Sequence, residues 1–455
     1  MPKNSLETSG FVSLLAAAQD RLDEGFADLP PALAPVLDEH AAAALNEAAA
    51  RLQDNYPYGH PLYAGQMLKP PHPVARAAYA LAMSVNPNNH ALDGGRASSA
   101  MEIEAVAALA KMFSWHHHLG HLTSGGTFAN LEALWVAGQL APGKAIAASD
   151  QAHYTHSRIS NVLGLSFTSI PSDDTGRMDI VAFEQSLASG DIGTVVVTLG
   201  TTAIGSVDPL DRILQLRKRY SFRIHVDAAY GGYFTLVSNL DPEARAAFDS
   251  IPHADSIVVD PHKHGLQPYG CGAVLFRDPT VGRFYKHDSP YTYFSSKDLH
   301  LGEISLECSR AGASAVALWT TQRLLPYTHG GEFARGLEAG RNAALELRRR
   351  LFADPRFVTP IAEPQLDIVF WAVRSESPAH SSALAQRIFD EAARLDLHLA
   401  LANLPVRFFP SNTWPEAASG YVTCLRSVLM KPEHLAWIDE IWQRLDKSTG
   451  SVFAT

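Results

Sequence analysis

The chain has 455 residues, 46% of them hydrophobic and 18% charged, with 47 acidic against 37 basic side chains and a formal charge of −10. Those proportions fit a globular chain with a sizeable core and exclude disordered and collagen-like classes. The acidic balance argues against nucleic-acid binding, which needs clustered Lys and Arg, and no apolar run approaches the length of a membrane span.

The length suits one large α/β enzyme with a smaller lobe, or two to three modest domains. Cys271, Cys308 and Cys424 are scattered and odd in number, without C-x-x-C spacing, so neither a disulfide framework nor a zinc ribbon is expected. The opening MPKNSLETSGFVSLLAAAQDRLDEG has no long apolar core or A-x-A site, and a cytoplasmic location is the expectation.

In chain order, Phe11, Leu14, Leu15 and Ala18 share one face of a first predicted helix, and a second helical stretch covers 35–52. The Pro/Gly-rich YPYGHPLYAGQMLKPPHP that follows cannot be regular helix. An opening segment of this kind, 1–85, is expected to act as an arm that packs on a partner subunit. From 98 to 277 helical patterns alternate with apolar runs: ALAKMF, HLTSGG, a helix over 130–138, AIAAS, TVVVTLG, FRIHVDAAY, SIVVD and GAVLF. β-Branched runs separated by helices predict a mostly parallel, covered sheet, with ligands outside the carboxyl ends of its strands. After residue 330 a long helix, the strand-like LDIVFWAV, a helix over 383–395 and a strand over 420–425 predict a smaller α+β domain. The expected division is therefore 1–85, 86–330 and 331–455.

The residues that carry chemistry fall at predicted strand ends. In SIVVDPHKHGLQPYGCGAVLFR an apolar run delivers Asp260, Pro261, His262 and Lys263 to a Gly-rich turn. A lone loop lysine usually snorkels, but one set between two buried strands is expected to lose solvation and drop in pKa toward a usable nucleophile. Asp227, ending the run in FRIHVDAAYGGYF, could be an ordinary helix cap or could pair with a protonated pyridine nitrogen. The turn and helix start in TSGGTFANLEAL offer the N–H groups of Ser124, Gly125, Gly126 and Thr127, with the Ser124 and Thr127 hydroxyls, to a phosphate. His153, after AIAASDQ, reads either as a surface histidine or as a ring stacked on a planar cofactor. His116, His117, His118 and His121 lack the carboxylate or Cys spacing of a metal site, so no metal is expected; they are expected to pack near the entrance of the site.

The ordered set TSGGTFAN, DQAHYTH, TLGTTAIGSVDP, HVDAAYGGYF and DPHKHGLQPYGCGAVLF resembles the group II pyridoxal-dependent decarboxylases. That family includes glutamate, aromatic amino-acid and archaeal-type tyrosine/aspartate decarboxylases, and sphingosine-phosphate lyase is a relative. The resemblance spans about 88–312. It implies the fold type I of pyridoxal 5′-phosphate (PLP) enzymes and a homodimer with active sites at the subunit interface. It also implies that Lys263 carries the cofactor beside His262, that Asp227 holds the pyridine nitrogen, and that Ala229 lies against the ring face opposite His153. Gly126 and Thr127 would bind phosphate, Thr201 or Thr202 would lie near the cofactor's O3′ or carboxylate side, and Ser309 would reach the neighbouring subunit's phosphate. Two departures stand out: Phe128 occupies a position that is often Glu, and ASSAMEIE lacks a family proline. The HKHGLQPYGCG stretch is more similar to the glutamate and archaeal branches than to the aromatic one.

The expected reaction is decarboxylation of an L-amino acid to its amine, acidic substrates slightly ahead of tyrosine. Aminotransfer or retro-aldol cleavage is the alternative, and a non-enzymatic PLP-binding scaffold is a distant third. Tyr293, with Tyr291 second, is the candidate proton donor or else a packing aromatic. Arg426, placed at the end of a late strand, is a candidate clamp for a substrate carboxylate, with a structural salt bridge as the alternative.

Overall fold

The structure, a computed structural model, describes residues 10–30, 36–90, 94–286, 304–417 and 419–454. Helices Phe11–Glu24, Glu39–Leu52, Pro73–Met83 and Arg96–Met112 precede the first strand. The second begins at Glu39 because Asp38 accepts hydrogen bonds from the His40 and Ala41 N–H groups at 3.0 and 3.1 Å. Neither of the first two helices buries a single residue, and Val12, Leu14, Leu45 and Leu52 all face outward. The first helix lies partly against the third, with Phe11, Leu15 and Ala18 half-buried and Arg76 4.9 Å from the Phe11 ring centre, whereas the second leaves Leu45 and Leu52 exposed.

Seven strands form the central sheet: β1 Leu119–Thr123, β2 Ala145–Ser149, β3 Phe167–Ile170, β4 Ile192–Thr198, β5 Arg223–Asp227, β6 Ser256–Val259 and β7 Gly272–Phe276. Their spatial order is β1-β7-β6-β5-β4-β2-β3. β3, β2, β4, β5 and β6 run parallel, while β7 lies antiparallel between β6 and β1. β2, β4, β6 and β7 are buried at every residue, as strands with helices on both faces must be. The registers Thr198↔Asp227, Asp227↔Val258, Val259↔Ala273 and Gly272↔Thr123 bring the carboxyl ends of β4, β5, β6 and β1 to one edge.

A second, antiparallel sheet has the order β10-β11-β9-β8, from β8 Phe357–Val358, β9 Ile368–Val373, β10 Ala400–Pro405 and β11 Tyr421–Val428. β9 alternates across the sheet: Trp371 enters a core with Leu347, Ile388 and Ile441 of the covering helices. Phe370 packs on the other face with Phe409, Trp414 and Ile204. The two sheets are joined by Asp367, which accepts from the Tyr230 hydroxyl at 2.6 Å and lies 2.8 Å from His264 Nε2.

Sequence periodicity misplaced three of these elements. The helix expected at 130 starts at Gly126, and the strand expected over 420–425 continues to Val428. The helix expected over 383–395 starts at Pro378, behind a Ser377 cap. No helix among the described residues is long and apolar enough to cross a membrane.

Candidate active site

A cavity of about 440 Å³ opens where those strand ends meet. Ser124, Gly125, Gly126 and Thr127 line it together with His153, Asp227, Ala229, His262 and Lys263.

The phosphate end follows from the helix Gly126–Leu140. Because the helix starts at Gly126, the N–H groups of Gly126, Thr127 and Phe128 belong to its first turn and have no intrahelical acceptor. They carry the positive end of the helix dipole, which suits a phosphate. Ser124 differs: its N–H donates to Glu307 Oε2 at 3.0 Å. Gly126 is required by a close approach, since a Cβ there would fall 2.6 Å from Asp260 Oδ2. The helix is anchored from beneath by a buried chain in which Asn130 Nδ2 donates to the Gly126 carbonyl and Asn130 Oδ1 meets His225 Nε2, each at 2.8 Å. His225 Nδ1 in turn lies 2.9 Å from Ser256 Oγ, and burial lowers the pKa of this histidine to about 3. Neutral His225 therefore donates to Asn130 and accepts from Ser256.

Lys263 Nζ sits 3.1 Å from Asp260 Oδ2, three residues back along the turn. Burial opposes the ammonium, but the carboxylates of Asp260 and then Asp227 outweigh it and hold the amine above the ordinary lysine range. This reverses the shift expected from desolvation alone, because the two acids that surround the lysine are themselves buried. Asp260 Oδ1 has no hydrogen-bond partner among the described residues. His262 lies against Tyr269 with ring centroids 4.8 Å apart, and burial lowers its pKa.

Asp227 ends β5 only 5% exposed. Its Oδ1 accepts from the Ala229 N–H at 3.1 Å and its Oδ2 from His156 Nε2 at 2.8 Å. Burial works against its ionisation, yet the His156 hydrogen bond, the Ala229 N–H and Lys263 together hold the carboxyl well below the usual range. Burial lowers the pKa of His153, whose Nδ1 accepts from the Thr155 N–H at 3.3 Å.

Other expected site residues lie elsewhere. Of the two threonines in TLGTT, Thr202 lines the cavity, whereas Thr201 is fully buried and bonded to Ser206 Oγ at 2.8 Å. Gly200, between β4 and these threonines, holds φ at 102° with Leu366 and Gly231 packed against it, so a side chain has no room. Ser309 accepts from Asn88 Nδ2 at 3.2 Å, away from the cavity of its own chain. Arg426 lies inside β11 rather than at its end and meets neither cavity nor acid. Its guanidinium donates to the carbonyls of Ala203 at 2.6 Å, Thr202 at 2.7 Å and Gly65 at 3.3 Å, and to Gln66 Oε1 at 3.3 Å. The histidine cluster does not line the cavity either: His121 is buried in β1 against Glu132, 2.8 Å away. Tyr293 and Tyr291 lie outside the described residues.

Sequence reasoning missed Asp260 and His156 as functional groups. The spacing D-P-H-K carried a signal for Asp260, since three residues of tight turn return a carboxylate to the lysine. His156 carried almost none beyond its i+3 spacing from His153.

The donor set fits PLP: a helix N-terminus for the phosphate, a primary amine for the aldehyde, an ionised carboxylate for the ring nitrogen, and an imidazole and a methyl group bounding the space between.

Comparison with known proteins agrees. Residues 60–373 match the pyridoxal-dependent decarboxylase conserved domain. The L-tyrosine decarboxylase of Enterococcus faecium is 28% identical over 469 aligned positions, covering 79% of this chain and 77% of that protein. A Halobacterium salinarum protein named "Probable L-aspartate decarboxylase" is 30% identical, covering 68% of this chain and 84% of its own. The crystal structure of Oryza sativa TDC with PLP and tryptamine shares the fold at a TM-score of 0.78 and 18% identity, over 99% of each chain. With a family match over more than half its length and the site that this chemistry requires, the chain belongs to the pyridoxal-dependent decarboxylases, lyases that use PLP to remove a carboxyl group from an amino acid.

Proposed function

We propose that this decarboxylase acts on an L-amino acid with an acidic side chain, aspartate or glutamate, with tyrosine as the alternative. The observation that carries the chemistry is Lys263 and ionised Asp227 facing one cavity beside the first-turn N–H groups of Gly126 to Phe128. The substrate preference is supported by the HKHGLQPYGCG stretch and by relatives named for L-aspartate and L-tyrosine.

When bound, PLP supplies a protonated pyridine ring that takes up the electron pair left as CO₂ departs. Lys263 would hold the cofactor through its side-chain amine. Asp227 keeps the ring nitrogen protonated, and His153 and Ala229 bound its two faces. Gly125, Gly126 and Thr127 hold the phosphate with the Ser124 hydroxyl, and Thr202 borders the O3′ side. A tyrosine, Tyr293 first and Tyr291 second, returns a proton to Cα. Arg426 acts by holding the Thr202 turn against the 65–66 segment, because its donors are already engaged with carbonyls.

The working unit is a homodimer in the cytoplasm, with the 1–85 arm covering the partner and Ser309 reaching the partner's phosphate. The exposed Leu45 and Leu52 of the second helix support that assembly. Residues 86–330 would then form the PLP-binding unit and 331–455 the smaller one.

Screening the amino acids for products tests the assignment. CO₂ and a primary amine in equal amounts from aspartate or glutamate are expected. Turnover of tyrosine alone moves the assignment to the alternative substrate. A keto acid without CO₂ marks aminotransfer, and an aldehyde marks retro-aldol cleavage.

A further inference from the structure

The helix Thr155–Val162 begins just after His153, and the chain across that boundary does two things. His153 faces the cavity, and His156, three residues on, passes beneath it to the carboxylate that ends β5. His156 is 1% exposed, and its Nε2 stands 2.8 Å from Asp227 Oδ2. Its Nδ1 has no hydrogen-bond partner among the described residues. Nε2 must then carry a proton, since it is the ring nitrogen that faces an acceptor.

Asp227 lies between apolar neighbours, with Val226 before it and Val258 opposite, and a carboxylate so placed tends to take up a proton. A protonated Asp227 could not keep a pyridine nitrogen charged, and the ring would be a weaker electron sink. The Ala229 N–H satisfies one oxygen only. His156 satisfies the other and, with Ala229, fixes the plane of the carboxylate from both ends.

We infer that His156 is a positioning residue for this reaction: its Nε2–H holds Asp227 ionised and oriented toward the pyridine nitrogen, without itself touching cofactor or substrate. This rests on Asp227 being the carboxylate that meets that nitrogen. Nothing in the chemistry of the cavity requires a histidine here. The requirement is for a buried donor at the distance of Nε2, which glutamine also supplies and leucine does not.

The test uses the full-length protein stripped of cofactor, with PLP and its 1-deaza analogue as probes. The analogue keeps the phosphate and aldehyde but has carbon in place of the ring nitrogen. His156→Leu should weaken PLP ~10- to 100-fold, the usual worth of a hydrogen bond to a buried charge, and leave the analogue's affinity within ~3-fold. His156→Gln should recover most of the PLP affinity. Equal losses for PLP and analogue, or a Gln variant as poor as Leu, would show that His156 only fills space, and the inference fails. An unchanged PLP affinity in His156→Leu overturns it as well.

Asp227→Asn separates the two levels. If that variant binds PLP and analogue as the wild type does, the assignment of Asp227 is what fails. If it loses the preference for PLP while His156→Leu keeps it, only the role of His156 fails. Should His156→Leu not fold, ¹⁵N NMR of histidine-labelled wild-type protein decides. His156 should be the Nε2–H form with a resonance displaced in Asp227→Asn, and an Nδ1–H ring would contradict the inference.

Discussion

Replacing Asp260 by asparagine removes the charge nearest Lys263 while keeping its volume against Gly126. In the wild-type protein the carboxylate lies 3.1 Å from Nζ and both groups are largely withdrawn from water, with lysine and aspartate side chains 22% and 4% exposed. A hydrogen bond to a charged partner in such a setting is worth ~1.5–3 kcal/mol more than none. At 1.36 kcal/mol per pKa unit, losing the charge lowers the lysine by ~1–2 units. The sign follows from the amine. It captures an aldehyde only when neutral, and Asp260 and Asp227 now favour the charged form. Asp260→Asn should therefore capture PLP faster, by ~10- to 100-fold at about pH 8, where the neutral fraction is small and rises tenfold per unit of pKa. Stopped-flow mixing of cofactor-free protein with PLP across a pH series reads this directly as growth of the visible band of the lysine-bound cofactor. The wild-type rate should climb with pH throughout the range, and the variant should climb along a parallel line displaced toward lower pH. A variant that captures PLP no faster, or whose profile shifts toward higher pH, would refute the claim that Asp260 sets the charge of Lys263.

Two further perturbations probe the scaffold. His225 stays neutral in the folded protein down to about pH 3, whereas the unfolded chain takes up that proton near 6.5, so stability must fall with pH across that window. His225→Gln keeps a donor for Asn130 but removes the proton uptake, so the slope of urea-unfolding stability against pH should shrink by ~1.4 kcal/mol per unit between about pH 6 and 4. An unaltered slope would mean that His225 is not the buried neutral link. Arg426→Lys replaces a fork that serves four oxygens with a single point of donors, and should cost ~2–4 kcal/mol in denaturant unfolding. A change below ~0.5 kcal/mol would show those contacts to be incidental.

The site was legible in the sequence where chemistry coincides with chain order. Asp227 ends the strand Arg223–Asp227 and Lys263 lies four residues beyond the strand Ser256–Val259, and strand ends in a parallel sheet converge, so their meeting could be expected from the sequence. The phosphate turn was legible too, but not the start of its helix. Gly-Thr-Phe reads as turn, and Gly126–Leu140 shows little amphipathic pattern because buried residues surround it. His156 was invisible, because its partner lies 71 residues away and only the packing of two elements brings them together. Thr201 and Thr202 are identical by composition, and the turn alone decides which faces the cavity. The carbonyls around Arg426 belong to Thr202, Ala203 and Gly65, 223 to 361 residues away along the chain, so they could not be anticipated.

The most direct test of the central claim is to reduce the PLP-loaded protein with borohydride and locate the modified lysine by mass spectrometry. Charge state alone would choose differently. Burial lowers Lys431 to about 7 and Lys69 to about 8, so both are more easily deprotonated than Lys263. Yet their amines donate to the carbonyls of Tyr63 and Met430 and line no part of the cavity, whereas Lys263 faces the phosphate cradle and Asp227. The expected result is one pyridoxyl group per chain, on Lys263, with none in Lys263→Ala. Label on Lys69 or Lys431 in the wild-type protein, or undiminished labelling of Lys263→Ala, would contradict the assignment of the site.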